Sequence, residues 1–338
     1  MSGLWFWQQS LERFPWAPFI ADAGIRLVGL GRWYLLEEVL SCVETSFSFL
    51  RGIHVIKAID VHVHAHDEEA IKAKGARNAQ MAKYFRKETP PVSLDELADR
   101  YREKEMMAVI VNSTDVTSSG IPPVPNDHIA DAVRRNPDVF IGFGAVDPWQ
   151  GRVAVDEAKR CADELGLRGL GELNPGRQAF YPNDPRFYPL WESASDHGLV
   201  VLFHGGMMGS GAGTPGGMGF KLKYTRPIPY LDDVAADFPQ LKIIAAHPSW
   251  PWQEESLAVA RHKSNVYIDL SGWAPKYFPE QLVHYADTIL QDRVLFGSDW
   301  PVIDPDRWLS EFAELGIRES SRRKILLENA CALFGINL

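Results

Sequence analysis

From residue 56 onward, short runs of apolar and β-branched residues alternate with longer stretches of helical periodicity. The runs predict eight strands, at 56–62, 107–112, 139–146, 167–173, 199–204, 241–247, 265–269 and 293–298. The other stretches predict helices at 93–104, 126–135, 154–165, 185–197, 230–238, 252–262, 279–290, 306–315 and 320–334. Eight strands, each followed by a helix, are typical of a parallel barrel. The sequence therefore predicts an α/β chain with the (β/α)8 fold, the TIM barrel.

The region before this pattern is different. Residues 1–55 show weak helical patches without a clear period, and we expect an N-terminal extension there: a helical segment, a disordered tail or a translated upstream region. The barrel domain would then occupy residues 56–338. The alternative fold for this domain is a doubly wound open sheet, which does not normally need eight strand–helix units. No Gly-x-Gly-x-x-Gly turn follows the first predicted strand.

The charge balance restricts the partners of the chain. It has 35 Lys and Arg against 44 Asp and Glu, a formal net charge of −9, whereas proteins that coat nucleic acid or anionic membranes present a basic surface. The three cysteines lie far apart, which predicts neither a disulfide framework nor a zinc–thiolate cluster. We therefore expect a cytoplasmic protein with a small-molecule substrate and no nucleic acid or membrane partner.

Side chains of the types that bind metals fall at the ends of predicted strands. His62 and His64 lie two residues apart at the end of the first strand. His204 ends the fifth strand, His247 ends the sixth, and Asp299 follows the eighth. The carboxyl ends of the strands form the rim where barrel enzymes have their active sites. Because residues two apart on a strand point to the same side, His62 and His64 can reach one metal ion. A single such histidine is more often a buried, hydrogen-bonded side chain, but five positions together favour a metal site.

The motifs around these residues resemble those of a known family. They are IDVHVH at 59–64, VVLFHGG at 200–206, IIAAHPSW at 243–250 and VLFGSDWP at 294–301. Together they resemble the amidohydrolase superfamily, and within it the branch that contains aminocarboxymuconate semialdehyde decarboxylase and γ-resorcylate decarboxylase. The resemblance covers residues 56–338. The segment 211–279 is most similar to members named as 4-hydroxyphenyl-β-ketoacyl-CoA hydrolases.

The resemblance implies a metal-dependent enzyme, and, because relatives often pair as homodimers, a homodimer as the assembly. His62, His64, His204 and Asp299 would bind one divalent ion, most often Zn2+, with Mn2+ as the alternative, and a second ion is not excluded. Three imidazoles and a carboxylate are suitable ligands for either metal. His247 would be a catalytic base or polarising group, and Asp299 would also accept a proton from water on the metal.

Glu172 departs from the family's common pattern. Many relatives have a Lys-hydrophobic-His-Pro stretch after the fourth strand, where this chain has Gly-Glu-Leu-Asn-Pro at 171–175. Some relatives with two metals use a glutamate on this strand. If Glu172 faces inward, it could hold a second ion together with His247, contact water on a single metal, or form a salt bridge. We favour a single metal.

Two further features predict substrate contacts. A loop at 205–219, in which eight of fifteen residues are glycine, precedes a basic cluster that could hold a carboxylate or the phosphates of coenzyme A. Several tryptophans follow the last three strands and could contact a flat substrate. These candidates are Lys221, Lys223, Arg226, Trp250, Trp273 and Trp300. The alternatives are a solvated surface loop and tryptophans that pack between helices.

Three functions are compatible with this pattern. The first is a metal-dependent hydrolase in which metal-activated water attacks a small aromatic or β-keto carboxylic acid derivative, such as an aromatic β-ketoacyl-CoA. The second is a non-oxidative decarboxylase (carboxy-lyase) of an aromatic or unsaturated acid, which needs the same metal ligands. The third is a binding protein that has lost catalysis, which the intact set of ligands disfavours. We expect the hydrolase, with the decarboxylase as the alternative.

Overall fold

A computed structural model describes residues 56–337 of the chain, so the extension predicted at 1–55 lies outside the described residues. Eight parallel strands form one sheet in the order of the sequence, β1 to β8. They are β1 Ala58–His64, β2 Met106–Val111, β3 Phe140–Gly144, β4 Gly169–Leu173, β5 Val200–His204, β6 Ile243–Ala246, β7 Val266–Asp269 and β8 Val294–Leu295. All eight lie where the sequence predicted them, and the prediction of a TIM barrel is confirmed.

Hydrogen bonds between β1 and the residues around the end of β8 close the barrel. The amide of Val61 donates to the Phe296 carbonyl at 2.9 Å, and the amide of His64 donates to the Trp300 carbonyl at 2.9 Å. The amide of Asp299 donates to the His62 carbonyl, also at 2.9 Å. Because the backbones are paired at this point, the side chains that end the first and last strands lie next to each other.

A change of register in β1 orients its two histidines. The pairing of β1 with β2 shifts between Asp60 and Val63. Val61 packs with the residues of the barrel interior, whereas Val63 packs in the layer between the strands and the helices. An irregularity of this kind exchanges the faces of the residues that follow it. His62 and His64, which are two residues apart and share a side of the strand, are thereby turned toward the barrel interior.

The helices surround the barrel. They are α1 Glu68–Lys74, α2 Ala76–Phe85, α3 Leu94–Glu103, α4 Val116–Ser119, α5 Asn126–Arg135, α6 Arg152–Asp163, α7 Pro175–Gln178, α8 Tyr188–Asp196, α9 Tyr230–Asp237, α10 Gln253–His262, α11 Glu280–Asp287, α12 Pro305–Ala313, α13 Glu319–Arg323 and α14 Asn329–Phe334. A π-helical segment, Lys324–Glu328, joins the last two. The predicted helices are all present, whereas α1 and α2, which follow β1, were not predicted.

Two apolar layers stabilise this architecture. Side chains such as Ile59, Val109 and Leu202 fill the barrel interior, and Phe334 of α14 packs against them. A larger layer lies between the strands and the surrounding helices. The polar site therefore lies at the carboxyl ends of the strands, beyond the packed interior. Within residues 56–337, no helix is both long and apolar enough to cross a membrane.

Candidate metal centre

The ends of β1 and β8 bring three of the predicted ligands together. The Nε2 atoms of His62 and His64 are 3.3 Å apart. Oδ1 of Asp299 lies 3.1 Å from Nε2 of His64 and 3.8 Å from Nε2 of His62. Two ligands with bonds of 2.0–2.1 Å to one tetrahedral ion would be about 3.3 Å apart. The three ligand atoms therefore have a spacing that fits one metal ion.

His204, at the end of β5, supplies a fourth candidate ligand. Its Nδ1 contacts Oε1 of Glu172 and lies 3.1 Å from Nε2 of His247. Its other ring nitrogen, Nε2, is buried and has no hydrogen-bond partner among residues 56–337. A buried polar atom without a partner costs free energy, and binding of a metal ion through Nε2 would remove this cost.

Two carboxylates lie behind the imidazoles. Asp269 at the end of β7 contacts Nδ1 of His62 at 3.0 Å, and Glu172 on β4 contacts Nδ1 of His204. A carboxylate that accepts the Nδ1 proton leaves Nε2 as the free metal-binding nitrogen and fixes the ring orientation. Ligand atoms of Glu172 also lie within 4.8 Å of those of His62 and His64. Glu172 is thus a partner of His204. It also lies close enough to the other imidazoles to contact water on a single metal.

Asp269 was not predicted from the sequence. Its strand position contained a signal, because it is the last residue of a predicted strand, as are His62 and His204. Its contact with His62 has a large electrostatic effect. Burial alone would lower the pKa of His62, but the Asp269 carboxylate outweighs burial and raises that pKa to about 10. Burial would likewise raise the pKa of Asp269, but His62 outweighs it and lowers the pKa to about 2.

His247 and Asp299 have unusual backbone conformations. Their φ angles are 67° and 61°, in the left-handed region that non-glycine residues rarely adopt. Gly272 faces them, and a Cβ atom there would lie 2.6 Å from Nδ1 of His247 and 3.3 Å from Oδ2 of Asp299. Such strained positions cost about 1–3 kcal/mol each and are concentrated at functional sites. Both the strained backbone of His247 and Asp299 and the glycine at position 272, which leaves room for their side chains, contribute to the positions of these two residues.

The hydrogen bonds of His247 suit a group that exchanges a proton. Its Nδ1 lies 2.8 Å from Oγ of Ser271, and its Nε2 lies 3.6 Å from Oε1 of Glu172. Burial alone would lower the pKa of His247, but the contact with Glu172 together with the nearby Asp299 and Asp269 carboxylates outweighs burial and raises the pKa above the usual value. For Asp299, burial acts to raise the pKa, but the adjacent His64 and His62 hold it below the usual range. Asp299 is thus held as a carboxylate, as a metal ligand requires. We call His62, His64, His204, His247 and Asp299 the histidine cluster.

A cavity of about 980 Å3 opens above this cluster. It is covered by α1, α2 and the loop after β5, and Gln80 of α2 joins these two parts. Its Nε2 donates to the Ala212 carbonyl at 2.8 Å, while the amide of Gly211 donates to its Oε1 at 2.9 Å. The volume is at the upper end of the range for small-molecule sites. The cavity can therefore hold an aromatic acid of moderate size next to the cluster.

The structure separates the predicted substrate contacts into two groups. Trp250 and Trp273 line the cavity, with ring centroids 6.0 Å apart. Trp300 does not line it and is only 5% exposed, with its ring edge-on to His66. The basic residues after the β5 loop are exposed and lie outside the cavity lining: Lys221, Lys223 and Arg226. Arg226 pairs with Glu255, and the Lys223 ammonium lies 5.0 Å from the ring centre of Tyr224.

The cavity is lined instead by cations that were not predicted from the sequence. Lys74 and Arg77 come from α1 and α2, which were not predicted, and Arg177 comes from α7, directly after β4. We call these three residues the cationic wall. Arg177 follows a strand that was predicted, so its position near the rim could have been inferred. No comparable signal marks Lys74 and Arg77 in the sequence.

Comparison with known proteins identifies the family. The amidohydrolase family model matches residues 59–336. The chain therefore belongs to the amidohydrolase family, and it is an enzyme of that superfamily with a candidate site for a divalent metal.

Individual relatives define the branch more closely. The chain is 26% identical over 250 residues to γ-resorcylate decarboxylase of Polaromonas sp., a match that covers 63% of this chain and 75% of the relative. It is 24% identical over 241 residues to 2-amino-3-carboxymuconate-6-semialdehyde decarboxylase of Dictyostelium discoideum, with 63% and 66% covered. These relatives confirm the branch that the motifs predicted.

A solved structure gives the same fold. It is a dihydroxybenzoic acid decarboxylase of Polaromonas sp. with bound manganese and an inhibitor, 2-nitroresorcinol. The TM-score is 0.54 at 21% identity, and the match covers 83% of this chain and 97% of the other. At this level of identity the likeness shows a shared fold.

Proposed function

We propose that the chain is a metal-dependent, non-oxidative decarboxylase of an aromatic or unsaturated carboxylic acid. The observation that carries this proposal is the histidine cluster, in which four side chains of metal-binding type and His247 converge beneath a cavity of about 980 Å3. The decarboxylases among its relatives support this reaction over the hydrolysis that we expected from the sequence. A small-molecule acid also fits the size of the cavity.

His62, His64, His204 and Asp299 would hold the ion. Three imidazoles and a carboxylate suit Zn2+ and Mn2+ alike. Zn2+ was expected from the sequence, and the manganese in the related decarboxylase structure supports Mn2+ as the alternative. When bound, the ion would orient the oxygens of the substrate and stabilise negative charge that develops on them. We propose a single ion, because the contact of Glu172 with His204 gives this carboxylate a partner without a second metal.

His247 is the proposed proton donor. In the reaction, the bond between the carboxylate carbon and the substrate carbon breaks, CO2 leaves, and the electron pair remains on the substrate carbon. A proton from His247 then forms the new C–H bond. His247 lies next to the ligands without being needed as one, and its contacts with Ser271 and Glu172 fix its ring and favour its protonated form. Asp299 has the opposite role, because the neighbouring imidazoles keep it ionised.

The products distinguish this proposal from hydrolysis. Metal-loaded protein would be incubated with a panel of hydroxybenzoic acids, unsaturated dicarboxylic acids and aromatic β-ketoacyl-CoA esters, and the products analysed by mass spectrometry. We expect products lighter by CO2, with CO2 detected in equal amount. Products whose masses sum to that of the substrate plus one water, without CO2, would contradict the proposal and support the hydrolase. Purified protein without a stoichiometric divalent ion, and with an unchanged melting curve in chelator, would contradict both reactions.

A further inference from the structure

Arg177 is a buried cation whose binding capacity is largely unused. Its side chain is 10% exposed, and its closest ionic contact joins Nη2 to Oε2 of Glu172 at 3.8 Å, beyond hydrogen-bond distance. Nε and Nη2 are buried without a hydrogen-bond partner in the part of the chain that the structure describes. The exposed remainder of the side chain lines the cavity. Buried donors without partners are costly, so an anion that reached this guanidinium would be bound tightly.

The two other cations of the wall add positive charge at the same place. Arg77 pairs with Asp115. The ammonium of Lys74 contacts two neutral acceptors, the Ala65 carbonyl at 3.3 Å and Nδ1 of His66 at 3.4 Å. Burial, together with the nearby Arg177, lowers the pKa of Arg77, which indicates that the two guanidinium groups repel each other. An anion between them would relieve this repulsion.

The position of the wall restricts the size of the ligand. One oxygen of Glu172 contacts His204 of the histidine cluster, and the other lies 3.8 Å from Arg177. The two halves of the site are thus separated by a single carboxylate side chain. This separation suits two groups on one small molecule. Arg77 is buried and Lys74 and Arg177 are partly buried, unlike the exposed Lys221 and Arg226.

We propose that the cationic wall binds a second carboxylate of the substrate, so that the enzyme selects dicarboxylic acids over monocarboxylic acids. This inference rests on the proposed function, because it assumes that the first carboxylate reacts at the histidine cluster. A guanidinium group can bind a carboxylate through two parallel hydrogen bonds. Arg177 is the main contact, and Lys74 and Arg77 supply the surrounding positive charge.

Binding measurements test the wall without turnover. Calorimetry on Mn2+-loaded protein would compare the dissociation constants of isophthalate and benzoate, which differ by one carboxylate. We expect isophthalate to bind at least about 10-fold more tightly. In Arg177→Gln this preference should disappear while the constant for benzoate and the metal content stay unchanged, and Arg177→Lys should retain part of it. Lys74 lies on α1, which carries no predicted metal ligand, and Lys74→Met alone should also reduce the preference.

The matched control is Arg152→Gln, which removes an exposed arginine outside the cavity lining and should leave the preference intact. An equal preference for isophthalate in wild type, Arg177→Gln and Lys74→Met would overturn the inference. Coenzyme A that binds more tightly than isophthalate, and loses that affinity in Arg177→Gln, would overturn it in favour of a phosphate. The proposed decarboxylation stands or falls separately, since CO2 release from any substrate of the panel is scored independently of the binding preference.

Discussion

The histidine cluster and the cationic wall lie on the same cavity but are built in different ways. The candidate ligands of the cluster come from the ends of β1, β5 and β8, whose positions are fixed by backbone hydrogen bonds of the barrel. The wall comes from α1, α2 and α7, which are short helices outside the sheet. This difference indicates a division of roles: the sheet positions the reacting groups, and the segments that connect its strands select the substrate.

The strongest test of this division is removal of a ligand from the cluster. His204→Ala and Asp299→Asn should each lower kcat/KM for decarboxylation at least about a thousand-fold, because the metal can no longer stabilise charge on the substrate. The measurement is the rate of CO2 release with metal content determined on the same samples. His284→Ala, an exposed histidine on α11, is the matched control. Near-normal turnover in both ligand variants would contradict the assigned site.

Removal of His247 separates the proton donor from the ligands. His247→Ala should lower kcat by about 100- to 10,000-fold, the usual range for a general acid, while the metal content stays at one ion per chain. Calorimetric metal titration and CO2 release together provide the test. Loss of metal in this variant would instead indicate that His247 is a ligand, and would favour a site with two ions.

A smaller effect is expected at Glu172, which lies between the two regions. Glu172→Gln should weaken metal affinity about 10- to 100-fold, because it removes the carboxylate that orients His204. Competition with a fluorescent chelator measures this change, with the exposed Glu164→Gln as the control. A wild-type protein with two ions, of which Glu172→Gln loses one, would show that Glu172 binds a metal directly.

The pH dependence of binding should isolate Lys74. Burial lowers the pKa of Lys74 to about 8, against the opposing effect of Asp299. The ammonium is charged below that pH and neutral above it, so isophthalate affinity should fall about 3- to 10-fold between about pH 7 and pH 9.5. The surrounding titratable and charged groups are Asp299, Arg177, Asp67, Arg77 and His66, whose Nδ1 lies 3.4 Å from the ammonium. Lys74→Met should remove most of this fall in affinity, and an unchanged pH profile in Lys74→Met would exclude Lys74 from the wall.

The same contrast explains what could be predicted from the sequence. A period of two and the strand boundaries were sufficient to predict that His62, His64, His204 and Asp299 lie at the same end of the barrel, because the barrel fixes the ends of its strands. Asp269 has the same kind of position but was missed because no motif marked it. Lys221, Lys223 and Arg226 were predicted from their charge and from the glycine-rich loop that precedes them, and the structure places them on the surface. The division into an extension at 1–55 and a barrel domain, the homodimer and the coenzyme A ester remain predictions.

The central claim is that the histidine cluster exchanges a carboxylate for a proton. Its most direct test is a reaction in D2O with a substrate labelled with 13C in the carboxylate. We predict one labelled CO2 released and one deuterium incorporated per substrate at the carbon that carried the carboxylate, with neither product in Asp299→Asn. Retention of the label in an acid product that has gained oxygen from water would contradict the account.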